Sequence, residues 1–383
     1  MISRRTILQG GAAFGAVTTL APGLAFARAN TGKRFFLVVL RGAVDGLSFV
    51  PPLGDPDFQR LRGRWLDGPE AGIKLDSTFA LHPALKNVGN LYQGGDALLA
   101  HAIATDYRDR SHFDAQNLLE TGGNRPFQLR DGWLNRFLGL VEGGKPSALA
   151  IAPSIPLALR GANPVTNYAP TALPEASAET IERIAALYAQ DPALHAAWSA
   201  SQGVQEQVGE SEMTGMRDAA KAGDLAARLM REENGARIAM LDLPGWDSHA
   251  NQVGQLNRRF GELDSMLGAF RQGIGPLWSE TAVLVLTEFG RTVAINGTNG
   301  TDHGTGGAAL LLGGGVRGKR VVADWPGLAA GSLLEGRDLK PTGSTEAFIA
   351  GGLAEHYALE PARVMEALFP GRQQRPMAGL IAA

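Results

Sequence analysis

Phe35-Phe36-Leu37-Val38-Val39-Leu40, running straight into Arg41-Gly42-Ala43-Val44-Asp45-Gly46, is the stretch on which the fold turns. Six apolar residues in a row, without polar alternation, describe a strand covered on both faces. A charged, glycine-bearing segment follows at once. The same grammar recurs along the chain. Ala97–Ala100, Ala148–Ala152, Arg237–Leu243, Ala282–Leu286 and Ala308–Leu312 are further short apolar runs. Helical patterns separate them. Leu256, Phe260, Leu263, Leu267 and Phe270 fall on one face of a helix, and Thr180–Gln190 and Ser344–Tyr357 also have helical character. Asp191-Pro192 ends one helix and opens another that runs to about Ala200, and the polar Ser201–Asp224 is either a mobile connection or a helical excursion. Strands alternating with helices predict an α/β fold, with a mostly parallel central sheet flanked by helices. No internal repeat or linker divides the chain, so residues 28–383 are expected to form a single domain.

The first 27 residues are of another kind. Met1-Ile2-Ser3-Arg4-Arg5-Thr6-Ile7-Leu8 carries paired arginines, Gly10–Leu24 is short and weakly apolar, and Ala25-Phe26-Ala27 offers the small residues a signal peptidase reads. That order is a twin-arginine signal peptide cut after Ala27. It predicts a periplasmic or otherwise exported protein handled by the twin-arginine export machinery. The stretch is too short and glycine-rich for a stable membrane span.

Composition excludes several functions. None of the 383 residues is cysteine, which rules out disulfides, thiolate nucleophiles and iron–sulfur clusters. Removing residues 1–27 leaves 34 basic against 38 acidic side chains, a formal charge of about −4. With no Lys/Arg-rich run, nucleic acid is not expected as a partner. No G-x-G-x-x-G follows a strand and opens a helix, which speaks against a nucleotide-dependent oxidoreductase.

In open parallel sheets, ligands bind beyond the carboxyl ends of strands. Asp45, with Arg41 beside it, follows the first apolar run as either a ligand-binding acid or a turn cap. Arg110, Ser111, His112 and Asp114 follow the second. A helix starting near Ser111 makes its hydroxyl either a cap or a nucleophile in the positive end of the dipole. Asp247 and His249 follow the Arg237–Leu243 run. A carboxylate and an imidazole there suit a divalent metal, or Asp247 caps the next helix. Glu288 follows Ala282–Leu286 and needs either Arg291 or a metal to offset burial. Asp302-His303 lies in the glycine-rich loop Asn296–Gly307, the most site-like stretch of the chain. The remaining histidines, His82, His101, His195 and His356, are expected to be structural.

Taken in order, these blocks resemble a large family of bacterial proteins of unknown function exported by the twin-arginine route and placed distantly in the alkaline phosphatase/sulfatase superfamily. The resemblance spans nearly all of residues 28–383. It rests on the Arg-Arg leader, Val38–Leu47, Ser111–Gln116, Gly132-Trp133-Leu134-Asn135-Arg136, Gly245–His249, Thr287–Thr292 and Gly300–Gly304. It implies an alkaline phosphatase-like domain with one or two divalent metal ions at strand ends. It also implies hydrolysis of phosphate or sulfate esters. Carried over by position, Asp45, Asp247, His249, Glu288 and His303 are the implied metal ligands, with Asp302 beside His303 a further candidate. Ser111 is the implied nucleophile, assisted by Arg291, and Arg41 and Arg110 are available to clamp an anion. The chain departs from the superfamily in following Glu288 with Phe289 and delaying its adjacent Asp-His pair to 302–303. The alternative is a catalytically degenerate binding protein for a glycan or a co-exported partner.

Overall fold

The computed structural model describes residues 32–65, 72–141, 148–169, 178–189, 191, 195, 218–233 and 235–382. The proposed leader, the 201–217 connection and, but for His195, the short helix expected over Pro192–Ala200 lie outside them. The strands are β1 (Arg34–Arg41), β2 (Ile73–Lys74), β3 (Ala80–Leu81), β4 (Ala97–Ala104), β5 (Ala148–Ile151), β6 (Thr166–Tyr168), β7 (Ile238–Pro244), β8 (Thr281–Leu286), β9 (Gly307–Leu312), β10 (Arg320–Val322) and β11 (Gly343–Ser344). The helices are α1 (Gly46–Phe49), α2 (Pro56–Arg62), α3 (Lys86–Gly94), α4 (His112–Thr121), α5 (Trp133–Val141), α6 (Ala178–Tyr188), α7 (Ala219–Arg231), α8 (Gln252–Ile274), α9 (Thr345–His356) and α10 (Pro361–Leu368).

All six apolar runs are strands of one sheet, ordered β10-β4-β9-β8-β1-β7-β5-β6, with β11 beside β4. The sheet is mostly parallel. β1 lies parallel to β7 and β8, whereas β9 runs antiparallel to both β8 and β4. The carboxyl ends of β1, β4, β7 and β8 therefore share an edge, and the antiparallel β9 starts on it.

The core occupies both faces. Phe36, Val38 and Leu40 point into one apolar cluster with Leu256, Phe260, Leu263 and Phe270 of α8. Phe35, Leu37 and Val39 point into the other, against α5, α9 and α10. Double coverage is why β1 lacks alternation. Each large apolar side chain buried this way contributes about 1.5–3 kcal/mol of transfer free energy. Over its described residues the end of the polar segment is helical: α7 begins there, at Ala219, and its carboxyl-terminal part is amphipathic. Asp218 caps it by accepting from Ala220 and Lys221 N–H.

Candidate metal centre

Four loops at the carboxyl edge meet. The loop after β7 approaches the end of β1 so closely that a Cβ on Gly42, whose φ is +120°, would collide with the backbone of Trp246 and Asp247. Gly300 has the same part to play: a Cβ there would strike the carbonyl of His249. An isolated bridge pins Arg291 to His303, folding the β8–β9 loop back on itself. The glycines of this edge thus let loops pack on each other.

Packed so, Asp247, His249, His303 and His112 converge. Ligand atoms of His112, Asp247 and His303 all lie within 4.8 Å of one another. His112 Nε2 is 3.0 Å from His303 Nε2 and 3.4 Å from Asp247 Oδ2. His303 Nε2 is 3.2 Å from Asp247 Oδ1. His249 extends the group, its Nε2 2.9 Å from Asp247 Oδ1 and 3.1 Å from His303 Nε2.

Which ring nitrogens carry protons follows from the partners on the far side. His112 Nδ1 faces Glu288 Oε1 at 2.8 Å, His303 Nδ1 faces the Arg110 carbonyl at 3.0 Å, and His249 Nδ1 faces Asp302 Oδ1 at 3.3 Å. An ionised carboxylate or a carbonyl only accepts, so each Nδ1 donates and each Nε2 presents a lone pair inward. Three lone-pair nitrogens and a carboxylate oxygen then face one another. Only a proton on one ring or a shared cation removes that repulsion. Donors bound at about 2.0–2.1 Å to one tetrahedral ion lie about 3.3 Å apart, close to the separations here. His112, Asp247 and His303, an N2O set, fit zinc and other first-row divalent ions, and His249 lies at the edge of the group, within reach of Asp247 and His303.

The same contacts shift the acid–base balance of the site. Burial alone would raise the Asp247 carboxyl, but the hydrogen bond and charge of Arg291 hold it down at about 2. Burial likewise opposes ionisation of Glu288, yet His112 and Gln116 keep its pKa below the usual value. The Glu288 hydrogen bond raises His112, whereas burial and then the nearby His112 lower His303. The Asn296 amide, ahead of His249, lowers Asp302.

The remaining expected site residues stand elsewhere. Asp45, expected as a ligand, is 2% exposed and takes Arg62 Nη1 at 2.7 Å, Ser48 Oγ at 2.6 Å and Gln252 Nε2 at 2.8 Å. It is a strut, since Arg62 also donates to the carbonyls of Thr292 and Val293. Glu288, also expected as a ligand, spends Oε1 on Gly42 N–H, Gln116 Nε2 and His112 Nδ1, and so orients His112. Asp302 stands behind His249 in the same way. Arg41 is held by Glu120 at 2.9 Å and Asp242 at 2.8 Å, and Arg110 by Glu335 and Asp338, so neither guanidinium stands free to clamp an anion. Arg291 is 2% exposed and donates to Asp247 and the Ser248 carbonyl. Ser111 is the N-cap residue of α4 but makes no side-chain cap. His112 and Gln116 were not expected in these roles. Their signal was present: His112 opens a helix after a strand end, and Gln116 lies four residues on, on the same face.

A family profile described as "Protein of unknown function (DUF1501)" matches residues 97–369. The chain belongs to this family. No match was found among curated proteins. Solved structures give distant similarities. The C-terminal periplasmic domain of EcEptC from Escherichia coli, in complex with zinc, aligns at 8% identity and TM-score 0.38 over 74% of each chain. The lipoteichoic acid synthase LtaP from Listeria monocytogenes aligns at 10% and 0.36, over 78% of this chain and 67% of that one. BT1596, a 2-O GAG sulfatase, aligns at 10% and 0.38, over 90% of this chain and 76% of that one. A groove of about 350 Å³ adjoins the centre, with Val293, Ile295, Asn296, Asp302, Leu333 and Arg337 in its walls.

Proposed function

We propose that this protein is exported by the twin-arginine route and acts as a metal-dependent hydrolase of phosphate or sulfate esters. His112, Asp247, His249 and His303 would hold a divalent cation. The observation that carries the reading is the convergence of three imidazole nitrogens, each left as a lone pair by an acceptor behind the ring. The Arg4-Arg5 leader supports export, which would let a metal be loaded in the cytoplasm before translocation.

Such an ion supplies Lewis acidity to an ester oxygen and activates a nucleophile at neutral pH. The chain does the rest. Glu288, Asp302 and the Arg110 carbonyl fix the ring tautomers. Arg291 keeps Asp247 ionised and oriented. Ser111 sits at the amino end of α4, where the helix dipole favours an anion, and its hydroxyl is not spent on capping. It meets the Tyr107 hydroxyl instead and would serve as the nucleophile once released from it. The groove beside Asp302 is large enough to receive the alcohol part of a small ester.

Elemental mass spectrometry on purified protein tests this. At least one equivalent of zinc, manganese or iron is expected, lost in Asp247→Ala and His303→Ala while circular dichroism stays unchanged. If both variants keep their full metal content, the centre is assigned wrongly. The engagement of Arg41 and Arg110 by carboxylates favours a second reading, an exported binding protein for a glycan or co-exported partner. A metal-loaded protein inert toward phosphate and sulfate esters would decide for it.

A further inference from the structure

Among the described residues two phenylalanines are exposed, Phe113 at 84% and Phe127 at 68%. Phe113 projects from α4, and Phe127 from the loop that follows it and is tied back to the helix. Phe113 follows His112 in its first turn, and Asn117 lies one turn further on the same face. The Asn117 side-chain oxygen accepts the Phe127 N–H at 2.7 Å and so anchors the next loop to that face. Phe127 has φ +60°, a conformation unfavourable for a bulky residue, and still its ring faces water. The loop sets it between Arg125 and Arg130, both exposed and neither in an ion pair among the described residues. Of the acids nearest in sequence, Asp131 is engaged by Arg136, Glu120 by Arg41 and Asp114 by the Tyr107 hydroxyl, while Asp109 is exposed.

We propose that this face docks on an anionic lipid surface. Rings without a polar handle enter the boundary between headgroups and acyl chains, and unpaired guanidiniums meet lipid phosphates. A second copy of this chain fits less well. A two-fold contact would press the same patch against itself and bring four arginines together. Among the described residues no helix is long and apolar enough to cross a membrane, so contact through this face would be peripheral. Docking places the metal centre, one residue from Phe113, beside the headgroups. The surface does not depend on a metal being bound.

The test is co-sedimentation of the full chain with phosphatidylcholine vesicles, with and without about 30 mol % phosphatidylglycerol. Every variant keeps the same amino terminus, so differences report on the patch. Phe113→Gln/Phe127→Asn should lower partitioning roughly ten-fold or more per ring. Arg125→Ala/Arg130→Ala should lower it about five-fold per arginine, an effect that fades as salt is raised. These positions are exposed and asparagine tolerates positive φ, so melting temperatures should match the parent. Equal binding by the parent and the aromatic variant, or indifference of the parent to anionic lipid, overturns the proposal. So does a parent dimer that the aromatic variant converts to monomer, which would assign the face to a second copy.

Discussion

Replacing Arg62 by methionine removes the only charged partner that Asp45 has within hydrogen-bond reach among the described residues. The carboxylate would remain fully buried with Ser48 and Gln252 as donors. Burial opposes its ionisation, and Arg62 is the largest influence holding its pKa below the usual value. Breaking such a pair leaves an uncompensated charge and costs about 3–5 kcal/mol. With an unfolding entropy of about 2.1 cal/mol/K per residue over roughly 350 folded residues, that loss lowers the melting temperature by about 4–7 °C. Asp45→Leu should cost a similar amount, because Arg62 then keeps the Thr292 and Val293 carbonyls and the Trp65 ring but no counter-charge. The double variant should recover most of the loss, since a buried ion pair replaced whole by apolar residues is often nearly neutral. The assay is a double-mutant cycle by differential scanning calorimetry, with metal content measured on each sample. Two results refute the reasoning. One is a double variant as unstable as the sum of the singles. The other is an Asp45→Leu protein that melts normally but has lost its metal, which would restore Asp45 as a ligand.

Glu288→Gln should weaken metal affinity about 10–100-fold in a chelator competition without abolishing it, because the side chain orients His112 from behind. A loss as complete as that of Asp247→Ala would make Glu288 a ligand. His101 and His356 are 1% and 4% exposed, and burial lowers each to a pKa of about 4. The unfolded chain, with histidine near 6.5, then binds protons more tightly than the folded one. The stability each contributes is complete above pH 6.5 and lost as pH falls toward 4, about 3 kcal/mol per histidine. Urea midpoints should drop across that window, and a flat profile from pH 6.5 to 4.5 would contradict the burial argument.

The strands were legible in the sequence because double burial removes polar residues from both faces. Phe35–Leu40, Ala282–Leu286 and their counterparts needed no tertiary information to be recognised. Strand ends were legible for the same reason, since polar residues resume where coverage stops, and that drew attention to Asp247, His249, Glu288 and His303. The short edge strands β6, β10 and β11 carry too few residues for a pattern.

What the sequence by itself determined was the alternation of elements, the absence of thiol chemistry and the edge on which polar residues gather. Only the tertiary structure decided which of those residues meet. Asp45 and Asp247 both follow sheet strands. Yet Asp45 turns into the interior toward Arg62, from a helix 17 residues away, while Asp247 turns toward the histidines. Glu288 and Asp302 look like ligands by type and position, and became supports for His112 and His249 because those rings reach them first. Sequence spacing measures separation along the chain, whereas a carboxylate's role is set by which donor lies within about 3 Å of its oxygens. At the site itself one such donor and its carboxylate, Gly42 N–H and Glu288, stand 246 residues apart.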